Sequence, residues 1–186
     1  MADHESGIAA VGEGPLAPTP GEQRLGDPEL RLLHALDVAY RYLARRDRTM
    51  LEMRQHLAHK RIDPGTIATA VEELARTGYL DDARFAARFA EDRRSLDSWG
   101  AERIERRLHA VGVADHHVQA ALTQQDACDE RQAAVAALER RYDTPLATPR
   151  ERDRALGFLV RKGYALELAY EAIRAHGRDK HEGPDE

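Results

Sequence analysis

Residues 78–94 read GYLDDARFAARFAEDRR, and the adjacent acids Asp81 and Asp82 in that stretch decide how the chain is understood. They are either a catalytic carboxylate pair or the mark of a helix start. Gly78 has the place of a glycine just past a helix end, where a left-handed residue is needed. Asp81 then stands where a short acceptor side chain can take the free amides of the next helix. Asp82 stands in the first turn, where the helix dipole favours negative charge. Leu80 and Phe85 have the spacing of a hydrophobic staple. Phe85, Ala86, Phe89 and Ala90 make an apolar stripe, and Asp81 with Arg84, or Arg88 with Asp92, can pair along its flank. Both aspartates read as helix-start residues rather than catalysts.

The same punctuation extends in both directions. Upstream, Leu36, Ala39, Tyr40 and Leu43 form one stripe. Thr49 with Glu52 makes a capping box for a helix carrying Met50, Met53 and Leu57. Asp63-Pro64 opens another helix, with proline in the first turn and a stripe of Ile67, Ala70, Val71 and Leu74. A shift of 51 residues places Met53 on Ile104 and Ala155, Leu57 on Leu108 and Leu159, and Val71 on Leu122 and Ile173. Ile62 falls on Val113 and Tyr164, Ile67 on Val118 and Ala169, and Arg61 on Gly112 and Gly163. A leading helix near 30–46, 82–96 and 129–142 matches poorly at that offset, so its register shifts. The expected fold is all-α, with three tandem three-helix repeats stacked into an elongated, curved body, because a module of about 50 residues buries little surface alone. The repeats are expected at 28–80, 81–127 and 128–177, between an acidic disordered tail at 1–27 and a second disordered tail at 178–186.

Composition agrees with helix. The 186 residues are 33% charged and only 5% aromatic. No apolar run approaches the roughly 18 residues of a membrane span. The beginning, MADHESGIAAVGEGPLAPTPG, lacks the basic and apolar blocks of a secretory signal. Cys128 is the only cysteine, which excludes an internal disulfide, suits a reducing cytoplasm and reads as filler or surface. The net charge of −5 hides blocks: residues 41–61 hold seven bases and two acids, and 140–162 hold seven bases and three acids.

With these residues assembled, GYLDDARFAARFAEDRR followed by WGAERIERRLHAVGV resembles the RecX family, bacterial regulators of the RecA recombinase. The resemblance covers about residues 35–176 and is most specific from Gly78 to Ala86. It implies three tandem three-helix repeats in a cytoplasmic monomer. It further implies binding to RecA and along the groove of its filament on single-stranded DNA. That binding would block filament extension or promote disassembly, suppressing ATP hydrolysis, strand exchange and co-protease activity.

The chemistry-bearing residues fit a binder rather than an enzyme. No nucleotide-binding glycine loop, zinc-finger cysteine set or nucleophile elbow occurs, so no cofactor or metal is expected. His56 with His59, and His116 with His117, are read as solvated histidines. Arginine is the informative residue type. Arg45, Arg46 and Arg48 precede the second helix of module one. Arg103, Arg106 and Arg107 lie in that of module two, and Arg150, Arg152 and Arg154 open that of module three. Spacings of three and four put Arg103, Arg106 and Arg107 on one face. Stacked modules would then offer a discontinuous basic strip for phosphates or an acidic filament groove, with weak direct DNA binding as a corollary. Trp99 reads as a loop anchor. The competing reading is a DNA-binding protein of helix-turn-helix type, which should bind one duplex sequence without a protein partner.

Overall fold

The structure, a computed structural model, describes residues 26–124 and 127–179. Its elements are all α-helices: α1 (Pro28–Leu43), α2 (Met50–His59), α3 (Pro64–Arg76), α4 (Asp82–Asp97), α5 (Ala101–Ala110), α6 (Asp115–Leu122), α7 (Ala127–Glu139), α8 (Pro149–Lys162) and α9 (Leu166–Asp179). No described helix is long and apolar enough to cross a membrane. The acidic N-terminal segment up to residue 25, residues 180–186 and the side chain of Cys128 lie outside the described residues. α9 continues two residues into the stretch expected to be a tail.

The starts of the helices are local chemistry. The Asp27 carboxylate accepts from the Glu29 amide at 2.9 Å, Asp63 from Thr66 at 2.9 Å and Asp81 from Arg84 at 2.9 Å. Thr49 with Glu52 and Thr148 with Glu151 form complete capping boxes. Each arrangement satisfies amides that the first helical turn leaves unbonded.

Packing divides the helices into triads. α1, α2 and α3 pack together, as do α4, α5 and α6, and α7, α8 and α9. Each triad has its own core: Met53, Leu57, Val71 and Leu74 in the first, Ile104, Leu108 and Val118 in the second, Leu138, Leu159, Tyr164 and Ala169 in the third. Leu80 belongs to the first core while Phe85 packs against the second, so the two residues expected as a staple serve different modules. Each fully buried leucine contributes about 1.5–3 kcal/mol. Cores this small gain from being stacked on a neighbour.

The stacking repeats one joint. The start of α2 docks on the turn after α5: Thr49 Oγ1 donates to the Val111 carbonyl at 2.7 Å, and the Met50 amide donates to Asp82 Oδ1 at 2.9 Å. One module later the start of α5 docks on the turn after α8. There the Gly100 amide donates to the Lys162 carbonyl at 2.9 Å, and the Ala101 amide to Glu130 Oε1 at 2.8 Å. The docked turns contain Gly112 at φ 82° and Gly163 at φ 91°. A β-carbon on Gly112 would stand 2.3 Å from Leu51 Cδ2, and one on Gly163 2.3 Å from Arg103 Cβ. Arg61, their counterpart in module one, also has positive φ, at 62°. The body that results is elongated, with module two between the others.

Candidate partner and nucleic-acid interface

Asp81 and Asp82 do not converge on a reaction centre. Asp81 caps α4, and Asp82, one residue on, caps α2 of the preceding module across the joint. Arg84 turns its guanidinium to the Gly78 carbonyl at 2.6 Å. Arg88 does not pair with Asp92; it reaches Asp47 of module one at 2.8 Å, a second tie across the joint.

The nine arginines sort by what they touch. In module one, Arg46 pairs with Glu52 at 2.5 Å while its side chain stays half exposed. Arg48 is drawn inward: only 12% of its side chain is exposed, and its guanidinium lies 3.9 Å from the Tyr42 ring centre. Tyr42 in turn stacks on His56, with ring centres 3.8 Å apart. Burial, and then the charges of Lys60, Arg48, His59 and Arg45, hold His56 below the ordinary histidine pKa. Arg45 is exposed, with no carboxylate partner among the described residues.

In module two Arg103 belongs to the joint. Its guanidinium covers the Trp99 ring at 4.0 Å and donates to the Arg161 carbonyl at 3.1 Å. Trp99 also meets Phe89 edge-on at 6.2 Å, so the indole anchors the loop as expected. Arg106 is exposed beside Glu102 at 3.7 Å. Arg107 is exposed, with no carboxylate partner among the described residues. The three are therefore not one solvent face, because docking module three takes Arg103 out of it.

In module three Arg150 is exposed, with no carboxylate partner among the described residues. Arg152 donates to the Ala147 carbonyl at 3.1 Å, and Arg154 lies near Glu151. Backbone and side-chain bonds from Thr148, with the Arg154 charge as a weaker contribution, hold the Glu151 carboxyl below its ordinary pKa. Of these nine, Arg45, Arg107 and Arg150, one in each module, are exposed and form no hydrogen bond or ion pair among the described residues.

Several groups were given no interface role by the sequence. Arg94 is partly buried and donates to the Ala121 and Leu122 carbonyls at 3.2 and 3.0 Å, closing the end of α6. Desolvation lowers its pKa. Tyr40 and Tyr79 meet edge-on at 5.0 Å with 40% and 57% of their surface exposed, an aromatic pair able to stack on a partner. Glu105, His109 and Asp115 bring one ligand atom each within 4.8 Å, formally enough for a metal ion. His109 lies 4.0 Å from Glu105 and 3.6 Å from Asp115, and weak surface ion pairing accounts for the grouping. His116 and His117 lie against each other at 3.9 Å.

The fold is an all-α stack of tandem three-helix modules with exposed arginines and an exposed aromatic pair on its surface. Residues 35–74 match the first three-helix domain of RecX and residues 81–122 the second. The regulatory protein RecX of Chromohalobacter salexigens is 38% identical over 74% of this chain and 89% of its own. That of Amycolatopsis mediterranei is 33% identical over 82% of this chain and 88% of its own. The chain belongs to the RecX family. The crystal structure of RecX from Lactobacillus salivarius superposes with a TM-score of 0.71 at 19% identity, covering 78% of this chain and 96% of that one. A second RecX crystal structure gives 0.68 at 21% identity, covering 86% and 79%. Both share the fold.

Proposed function

We propose that this chain binds RecA and its filament on single-stranded DNA and inhibits the recombinase, ATPase and co-protease activities by blocking extension or promoting disassembly. Membership of the RecX family is the observation that carries the reading. The exposed arginines support it physically. Arg45, Arg107 and Arg150 recur along a stacked body whose overall charge is unremarkable, which suits a long, shallow contact with phosphates or acidic side chains. Such a protein acts as a monomer in the cytoplasm, with weak DNA binding of its own and no chemistry of its own.

Titration into a RecA ATPase assay on single-stranded DNA tests this. Hydrolysis should fall in proportion to bound protein. Tight binding to one duplex sequence, with RecA turnover untouched, would favour the helix-turn-helix reading instead.

A further inference from the structure

The joint between modules has an unused counterpart at the start of the body. The turn Lys60–Ile62 corresponds to the turns that receive a preceding module, yet no module precedes module one among the described residues. A groove of about 780 Å³ opens there, lined among others by Leu30, Arg31, Lys60, Arg61, Ile62 and Asp63. Leu30 is 41% exposed at its edge.

A second copy of the chain does not fit this groove as a further module. At the two formed joints the docked position is Gly112 or Gly163, where a β-carbon would collide with the incoming helix start. Module one has Arg61 there, with a side chain. The would-be incoming edge differs as well. α8 begins at Pro149, about a turn earlier than α2 and α5 begin in their modules, so its capped start stands out from the docking position. Both differences work against head-to-tail growth of the stack.

A thinner occupant of opposite charge lies at hand. The described chain begins at Gly26, immediately before α1, which itself contributes Leu30 and Arg31 to the groove. The 25 residues before it carry Asp3, Glu5, Glu13 and Glu22 against Arg24, with Ile8, Val11 and Leu16 among them. Even a segment of this length reaches ~80 Å when extended, at about 3.3 Å per residue. The groove carries three cations against Asp63. We propose that the N-terminal segment 1–25 lies in this groove, its carboxylates against Lys60 and Arg61 and its aliphatic residues against Leu30 and Ile62. It stands where a preceding module would stand. The proposal is independent of RecA.

Zero-length carbodiimide cross-linking of the full chain at low salt, mapped by mass spectrometry on a mixture of unlabelled and ¹⁵N-labelled protein, tests it. The expected product joins a carboxylate of residues 3–22 to Lys60 within one chain, and falls at least about fivefold in Arg61→Glu or in high salt, since salt screens the attraction. A product between differently labelled chains makes a second copy the occupant and overturns the proposal. So does a yield indifferent to both Arg61→Glu and salt. As a second measurement, the variant Asp3→Asn, Glu5→Gln, Glu13→Gln, Glu22→Gln leaves every described residue unaltered. It should raise the acetylation rate of Lys60 about threefold, and an unchanged rate would equally overturn the idea.

Discussion

Gly112 has its α-carbon pressed against Leu51, so closely that a β-carbon would stand 2.3 Å from Leu51 Cδ2 and 2.6 Å from its Cβ. Gly112 is also left-handed, at φ 82°. Conformation and contact therefore both demand glycine at one joint between modules. Gly78, at φ 75°, has the same conformation with open space around its missing side chain. Gly78→Ala should cost about 1–2 kcal/mol, the left-handed penalty alone. Gly112→Ala should cost that and a further 1–3 kcal/mol or so of overpacking. Equal losses in urea denaturation would mean that the joint yields freely.

Asp81 and Asp82 should fail differently. Asp81→Ala removes a cap within module two and should cost about 0.5–2 kcal/mol. Inhibition of RecA should survive in the folded fraction, because no chemistry depends on the carboxylate. Asp82→Ala removes the acceptor of the Met50 amide in module one. Its signature is faster hydrogen exchange at Met50, largely restored in Asp82→Asn, which keeps an acceptor oxygen. Faster exchange at Arg84 instead would make Asp82 a cap of its own helix rather than of α2.

The arginines divide into two experimental classes. Replacing Arg45, Arg107 and Arg150 together by glutamate should leave helicity and melting close to wild type and weaken filament inhibition at least about tenfold at low salt. The loss should shrink as salt rises. Arg103→Glu should act first on stability, because it loses the contact with Trp99 and the bond to the Arg161 carbonyl. Full inhibition by a well-folded triple variant would reduce those arginines to a solvated face.

Acid should loosen the fold in two windows. His56 is held below the ordinary histidine pKa when folded, so its contribution is present above about 6.5 and is lost as pH falls through the folded value. Asp63 and Glu151 are held below the usual carboxylate range by their capping bonds, and Glu73 by its bond to Arg76. Their contribution is present above about pH 4 and fades below it. Denaturation at pH 7.5, 5.5 and 3 should show a small first step confined to wild type against His56→Gln, then a larger one shared by both. A first step of equal size in both proteins would clear His56 of it.

The helix starts were legible because capping is a matter of residues two or three apart. Asp27, absent from the capping residues read in the sequence, is the same chemistry unnoticed; Thr49, Asp63 and Asp81 were seen. The repeat was legible for a related reason: Met53, Ile104 and Ala155 face equivalent cores, so the same period returns wherever the same packing problem does. Even Arg61, Gly112 and Gly163 align at the shift of 51 and share positive φ.

The charged residues were another matter. Asp82 lies in a first helical turn either way, and only the joint turns its oxygen toward a helix 32 residues earlier. Arg88 had Asp92 four residues away and took Asp47, 41 residues away. Arg48 and Arg103 look like their exposed neighbours until Tyr42 and Trp99 lie beneath them. Local spacing specifies which side chains share a helical face, so the helices, their caps and their apolar stripes follow from the order of residues alone. Which face meets a neighbour depends on stacking between residues about 30 to 60 positions apart, and a long flexible arginine can serve solvent, a carbonyl or a ring at similar local cost. The helical modules were therefore settled by near-neighbour chemistry, and the division of the arginines into joint and surface by the docking of one module on the next.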